Sequence, residues 1–201
     1  MPVEQEIEFW NDDETSKVVR CAHFTDEASV NDVLRGKKVV VAGHDLKFAQ
    51  GILAALNDAG AEVVIDQWES HSKHDEAYSL ALLKDADIVF CEWGLGNAVW
   101  YSQHVRDDQR LVVRVHSQEL FRPYLKQTST ENVDKFIFVG ELIRAAAVTS
   151  HGIPRKKTVV IPNPVDIDSL GIPKEPGAEK TMGFVGIVPR SKRLDLSLIH
   201  I

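Results

Sequence analysis

Cysteine is nearly absent from this chain of 201 residues: Cys21 and Cys91 stand alone, with no CxxC spacing. So few cysteines give no disulfide framework. Cys91, inside an apolar strand-like run, suits a reducing compartment, read as the cytosol. Long apolar runs are missing as well. None approaches the roughly 20 residues a membrane-spanning helix needs. The acidic start MPVEQEIEFWNDDE also lacks the basic and apolar regions of a secretory leader. The chain is therefore expected to be neither exported nor embedded. Positive charge is scarce, with 23 Lys and Arg against 30 Asp and Glu and a net charge of -7. That balance argues against a general polyanion-binding surface, so no nucleic-acid partner is expected and any phosphate contact must be local. Two phosphate fingerprints are absent too: no GxGxxG follows the first buried strand, and no Walker A motif occurs.

What is present is an ordinary globular composition, 44% hydrophobic and 26% charged, long enough for one full domain and part of a second. Short β-branched runs alternate with helix-patterned stretches. KKVVVAG at 37–43 reads as a buried strand, after which Ala49, Ile52, Leu53 and Leu56 recur at helical spacing until Gly60. AEVVID, ADIVFCEW, RLVVRVHS, KFIFVGE and KTVVIP continue the strand series. Helices are expected around Ala77, Leu80 and Leu83, and from Glu141 to Gly152. Near-continuous apolar strands separated by helices imply an α/β fold, a parallel sheet covered on both faces with right-handed crossovers. This Rossmann-like domain is expected over 36–165. Residues 1–35 form an extension in which KVVRCAHF is a candidate extra strand. Residues 166–179, rich in Pro, Gly and charge, read as a linker, and TMGFVGI within 180–195 starts a second sheet.

Ligands of such sheets bind at the carboxyl ends of the strands, which directs attention to Gly43, His44, Glu92, Trp93, His116 and the stretch Gly186 to Arg193. Arg190, Lys192 and Arg193 stand where a helix begins, and cations there oppose the helix dipole and repel one another. Either an anion resolves the conflict, with Gly186 allowing close backbone approach, or the patch is simply solvated. His116 taken alone reads as structural. Trp93 suits sugar stacking and equally suits packing. In HSKHDE, His71 and His74 lie near Asp75 and Glu76, and a solvated loop is preferred to a metal site. RKK at 155–157 reads as a solvated turn.

Four segments carry a resemblance across residues 37 to 195: VVVAGHDLKFAQGILAALNDAGAEV, VVRVHSQEL, FVGELIRAAAVTSHGIPRKKTVVIPNPVD and GFVGIVPRSKRLDL. Together they resemble the retaining family 4 glycosyltransferases of GT-B fold, the third segment being the most specific. The resemblance implies an acceptor-binding N-terminal domain (36–165), a hinge (166–179) and a donor domain beginning at 180–195. Its partners would be a nucleotide sugar and a carbohydrate, lipid-linked or small-molecule acceptor, with no metal or other cofactor. Peripheral contact with a membrane stays open. By the same resemblance, Lys192 matches the lysine that contacts the donor diphosphate. His116 matches the histidine facing the donor sugar, where its role is catalytic, and Gly43 matches the first glycine loop, whose usual second glycine is His44 here. Glu92 and Trp93 fall at the acceptor cleft. Ile187 stands where the family carries an arginine, leaving Arg190 or Arg193 to supply that charge. Two other readings remain: a non-catalytic Rossmann-like module that binds a phosphorylated ligand or a partner, and a GT-B sugar-nucleotide epimerase.

The donor domain implied by the resemblance should run well past Asp195 and include two glutamates separated by seven residues. Instead LSLIHI follows, which CTG TCT CTT ATA CAC ATC encodes, the start of a transposon end used in sequencing libraries. Leu196 to Ile201 are therefore expected to be adapter-derived, and the chain is expected to be an inactive fragment.

Overall fold

The computed structural model describes residues 32–164, with 171, 173, 176 and 177, and the backbone of 3–10 and 16–23. The chain divides into two compact units, Met1–Asn163 and Pro164–Ile201. The expected second-domain strand, and with it Gly186, Arg190, Lys192 and Arg193, lies outside the described residues.

Two strands precede the main sheet. β1 (Val3–Trp10) and β2 (Ser16–His23) pair antiparallel, with Val3 opposite His23 and Trp10 opposite Ser16. β2 answers to the expected KVVRCAHF strand. β1 was hidden by its acidity, yet Glu4, Glu6 and Glu8 recur at every second position, the period of a strand with one polar face.

The main sheet holds β3 (Lys38–Gly43), β4 (Glu62–Gln67), β5 (Ile88–Glu92), β6 (Arg110–Val115), β7 (Lys135–Phe138) and β8 (Thr158–Val160). Its order is β4-β3-β5-β6-β7-β8, and every pair is parallel. This is the Rossmann-like arrangement the strand series called for. The helices between are α1 (Gln50–Asp58), α2 (Glu76–Lys84), α3 (Gly96–His104), the short α4 (Tyr124–Gln127) and α5 (Glu141–His151). Asp75 caps α2 by accepting from the Tyr78 N–H at 3.0 Å, with Glu76 in the first turn and Lys84 in the last, both favourable to the dipole. α5 stops at Gly152, in the left-handed region at φ 73°.

Strand alternation builds two cores. Val40, Ala42, Val89, Cys91, Leu111, Val113, Val115, Phe136 and Phe138 face one way and pack with Leu83, Tyr101 and Ala147 of the helices. Val39, Val41 and Phe90 face the other way, against Leu46, Ala49 and Leu53. The helical stripe expected on α2 needs correction at two positions, Ala77 and Leu80, both of which are exposed. Leu80 is 46% exposed, and Ser79 turns inward instead because its hydroxyl has a buried carboxylate to meet, that of Asp66 at 2.8 Å. Among the described residues, no helix is long and apolar enough to cross a membrane.

The strand order reverses between β3 and β5: the chain goes out to β4 on one side and returns to β5 on the other. A crevice opens at such a switch point, at the carboxyl ends of the strands. Gly43, His44, Glu92 and Trp93 stand there, with His116 one strand further.

Candidate active site

The site grows from the carboxyl end of one sheet face. On that face β5 places Ile88, Phe90 and Glu92, and β6 places Val112, Arg114 and then His116, each at every second position. The register sets Phe90 opposite Val112 and Glu92 opposite Arg114. The face is thus apolar for most of its length and charged at its end. Glu92 is wholly buried and Arg114 nearly so. The Glu92 carboxylate takes a hydrogen bond from Arg114 at 3.3 Å through Oε2 and pairs with His116 Nε2 at 2.8 Å through Oε1. Arg114 also donates to the Phe48 carbonyl at 2.9 Å and to Asn163 Oδ1 at 2.6 Å. A buried charge is tolerable only when paired and hydrogen-bonded, and this group meets that condition.

Aromatic rings cover the histidine. The Trp93 indole lies 4.1 Å from the His116 ring, centroid to centroid, and Phe48 lies 5.4 Å from it. Trp93 Nε1 donates to the Asp45 carbonyl at 2.8 Å, which fixes the indole. Its backbone sits at φ 70°, left-handed and strained for a residue with a side chain, at a cost of about 1–2 kcal/mol. Strain of this kind persists where surrounding structure over-determines it. His44 meets His71 edge to face at 4.6 Å. Burial, and then the neighbouring His71, holds the His44 imidazole below its ordinary range.

Close backbone packing holds the loop after β5. A Cβ on Gly43 would meet the Glu92 carbonyl oxygen at 2.9 Å, so its bareness already serves the contact between β3 and β5. A Cβ on Gly96 would collide with the His71 carbonyl oxygen, and the Gly96 N–H donates to that same oxygen at 2.9 Å. Asn97 bridges the two strand ends, its Nδ2 donating to the carbonyls of Ala42 at 2.9 Å and Glu92 at 3.0 Å.

Glu119 ties β5 to β6 from below. Its Oε1 accepts the N–H of His116 at 2.9 Å and of Gly94 at 3.1 Å, while Oε2 is buried with no partner among the described residues. Burial pushes the Glu119 carboxyl above its ordinary value, against the opposing pull of those N–H groups. A carboxyl raised on folding binds more protons in the native chain than in the unfolded one. Its contribution is complete below the unfolded value and is lost as pH rises through the folded value. Glu119→Gln keeps an acceptor for both N–H groups and removes the charge. In melting curves, the variant should match the wild type at about pH 4 and exceed it at about pH 8. Parallel pH profiles in the two proteins would show that Glu119 ionises without penalty.

Gly43, His44, Glu92, Trp93 and His116 are thus brought together, though Glu92 lies beneath the histidine rather than on the surface of the crevice. Arg114, Phe48, Asn97 and Glu119 were missed. Arg114 had a signal, an arginine at an inward position of the apolar run RLVVRV. The other three had none, since their partners are backbone groups and rings, which no residue type in the sequence announces.

Two loop expectations need correction. His74 does not simply stand in water: its ring stacks on Trp68 at 3.8 Å and its Nδ1 meets Ser79 Oγ at 2.7 Å, because the loop folds back over α2 and β4. Lys157 of the RKK turn points inward, its Nζ donating to the carbonyls of Thr130, Glu131 and Val133 at 2.7–2.9 Å. Among the described residues, no three His, Cys, Asp or Glu groups are placed to share a metal ion. A polar depression lined by Arg106, Arg110, Glu131 and Lys157 lies at the amino-terminal edge of the sheet and shares no residue with the site.

Residues 66–169, half of the chain, match the family model described as Glycosyltransferase Family 4. The matched span carries Glu92, Trp93, Arg114, His116 and Glu119. No curated protein matches the chain significantly.

Proposed function

The chain belongs to glycosyltransferase family 4, and from that premise we propose that it supplies the acceptor-side domain of a retaining enzyme. That enzyme moves a sugar from a nucleotide-sugar donor to a glycan, lipid-linked or small-molecule acceptor, in the cytoplasm and without a metal. The observation that carries the reading is His116, hydrogen-bonded to a buried carboxylate and covered by Trp93 and Phe48 at the edge of the sheet's crevice. In this reading the imidazole takes a sugar hydroxyl, and the bond strengthens as positive charge develops on the sugar ring. The donor's bond from sugar to diphosphate breaks with its electron pair going to the nucleoside diphosphate, and the acceptor hydroxyl oxygen forms the new bond as its proton passes to that departing diphosphate. Lys192, with Arg190 or Arg193 and the backbone at Gly186, would hold the departing diphosphate, since fixed cations in a closed cleft stabilise the charge that develops there. Gly43, His44 and Trp93 would border the acceptor. The two cysteines and the buried Cys91 thiol support the cytoplasmic setting.

The test begins with the gene, read through the codon for Asp195 by a method that uses no transposon adapter. A frame that continues into a second sheet with two glutamates seven residues apart supports the enzyme. One that stops after Ile201 replaces it with a binding module. With the product of the whole frame and a panel of nucleotide sugars, His116→Ala should lower kcat/KM by roughly a hundredfold, the scale of one transition-state hydrogen bond. Transfer at the wild-type rate would remove His116 from the reaction.

A further inference from the structure

His116 has two ring nitrogens with different surroundings. Nε2 lies 2.8 Å from Glu92 Oε1. Nδ1 has no hydrogen-bond partner among the described residues. A carboxylate accepts and never donates, so the ring nitrogen facing it must carry the proton. Arg114, at 3.3 Å from the other carboxylate oxygen, supplies the counter-charge of the buried carboxylate. We propose that Glu92 is a positioning residue that fixes His116 as the Nε2–H tautomer, with Arg114 as its counter-ion, so that Nδ1 is the nitrogen left for a ligand.

The assignment restricts what the subsite takes. In the Nε2–H tautomer the ring, bound through its one remaining lone pair, accepts a hydrogen bond at Nδ1 and offers none there. The entering group must therefore bring its own proton, as a hydroxyl does, whereas a fully ionised phosphate oxygen meets lone pair against lone pair. This step rests on the sugar-transfer reading, and the tautomer itself does not.

Four neighbours make the arrangement specific to the positions concerned. Glu119 grips the His116 backbone N–H at 2.9 Å, so the ring is positioned by its main chain as well as by Glu92. Trp93 and Phe48 limit the ring's rotation from its faces. Asn163, bound to Arg114 at 2.6 Å, holds the guanidinium at the end of the described sheet domain. Reversing the imidazole would place Nδ1 or a carbon against Glu92 and leave a buried carboxylate oxygen short of a donor, which is costly.

The experiment is long-range proton–nitrogen NMR on the ligand-free chain with labelled histidine, His116 being assigned by the signal missing from His116→Gln. In the wild type the ring proton should reside on Nε2, downfield and slow to exchange, because a charged acceptor biases the tautomer ratio by at least about tenfold. In Glu92→Gln that proton should move upfield or vanish, while Glu119→Gln, which meets His116 only through the main chain, leaves it in place. A ring proton on Nδ1 in the wild type overturns the proposal, as does a resonance unchanged in folded Glu92→Gln. Should that variant not fold, the wild-type spectrum decides alone. No sugar takes part in the measurement, so failed transfer leaves the tautomer result standing, and a wrong tautomer leaves the transfer assay standing.

Discussion

Replacing Arg114 by methionine should lower stability by about 3–5 kcal/mol, which for a domain of this size is a fall in melting temperature of roughly 6–20 °C. The side chain is 4% exposed and its partner Glu92 is wholly buried. Methionine fills much of the same volume, so the loss comes mainly from charge. Glu92 is left with His116 as its one remaining side-chain partner, and the Phe48 carbonyl and Asn163 lose the donor they share. Desolvating a charge costs several kcal/mol, and the one hydrogen bond from His116 would offset only part of it. The double variant Arg114→Met with Glu92→Gln should recover most of the loss, because removing both charges of a buried pair is close to neutral. Urea melts of the wild type, the two single variants and the double variant complete the cycle. A shift for Arg114→Met within about 0.5 kcal/mol, the scale of an ordinary surface substitution, would show that water reaches the pair.

Asp66→Ala should be of similar size, about 3–5 kcal/mol, through a different route. One carboxylate oxygen, Oδ2, receives Tyr101 Oη at 2.7 Å, Trp68 Nε1 at 2.8 Å and Ser79 Oγ at 2.8 Å. These groups come from β4, the segment after it, α2 and α3, so one buried side chain joins four parts of the fold. Alanine leaves Tyr101 and Trp68 without an acceptor in a buried place, while Ser79 keeps His74 Nδ1 within reach at 2.7 Å. Each costs about 1–3 kcal/mol, less than additively because they share one site. Burial first, and then the Asp66 charge, already pushes the Tyr101 hydroxyl far above its ordinary value, so ionisation offers Tyr101 no escape. Asp66→Asn keeps an oxygen in the same position and should lose less than half as much. Equal losses for the two variants would mean that the charge, and not the acceptor, holds the network. Asp66 and its three donors all lie outside the candidate site, so a folded Asp66→Asn should keep the His116 ring signal unchanged.

The strands were legible because burial on both faces of a parallel sheet leaves a continuous apolar run that nothing else in a soluble chain imitates. VVVAG, IVFC and LVVRV could be found from composition alone, and Gly60 and Gly152 marked where α1 and α5 stop. The site was legible in part. Strand ends can be counted, so Gly43, His44, Glu92, Trp93 and His116 could be nominated from position. Their roles could not be separated. Glu92 looked like a residue of the cleft and turned out to lie beneath it, because its two partners are at sequence distances of 22 and 24. His74 and Lys157 sat in polar runs that resemble solvated loops, and each was drawn inward by a partner no local pattern announces: an indole six residues before His74, and a row of carbonyls ending the segment before β7.

The order of β3 to β8, the helices α1, α2 and α5 and the absence of a spanning helix among the described residues were determined by the sequence itself. Each follows from transfer free energies that a residue carries with it and that repeat with the period of its own element. The joining of Glu92, Arg114 and His116 under Trp93 and Phe48, and of Asp66 with its three donors, was decided by the tertiary structure alone. A charge has no preferred depth until its counter-charge is placed, and that placement is set by the register of β5 against β6 and by the strand order across the whole sheet.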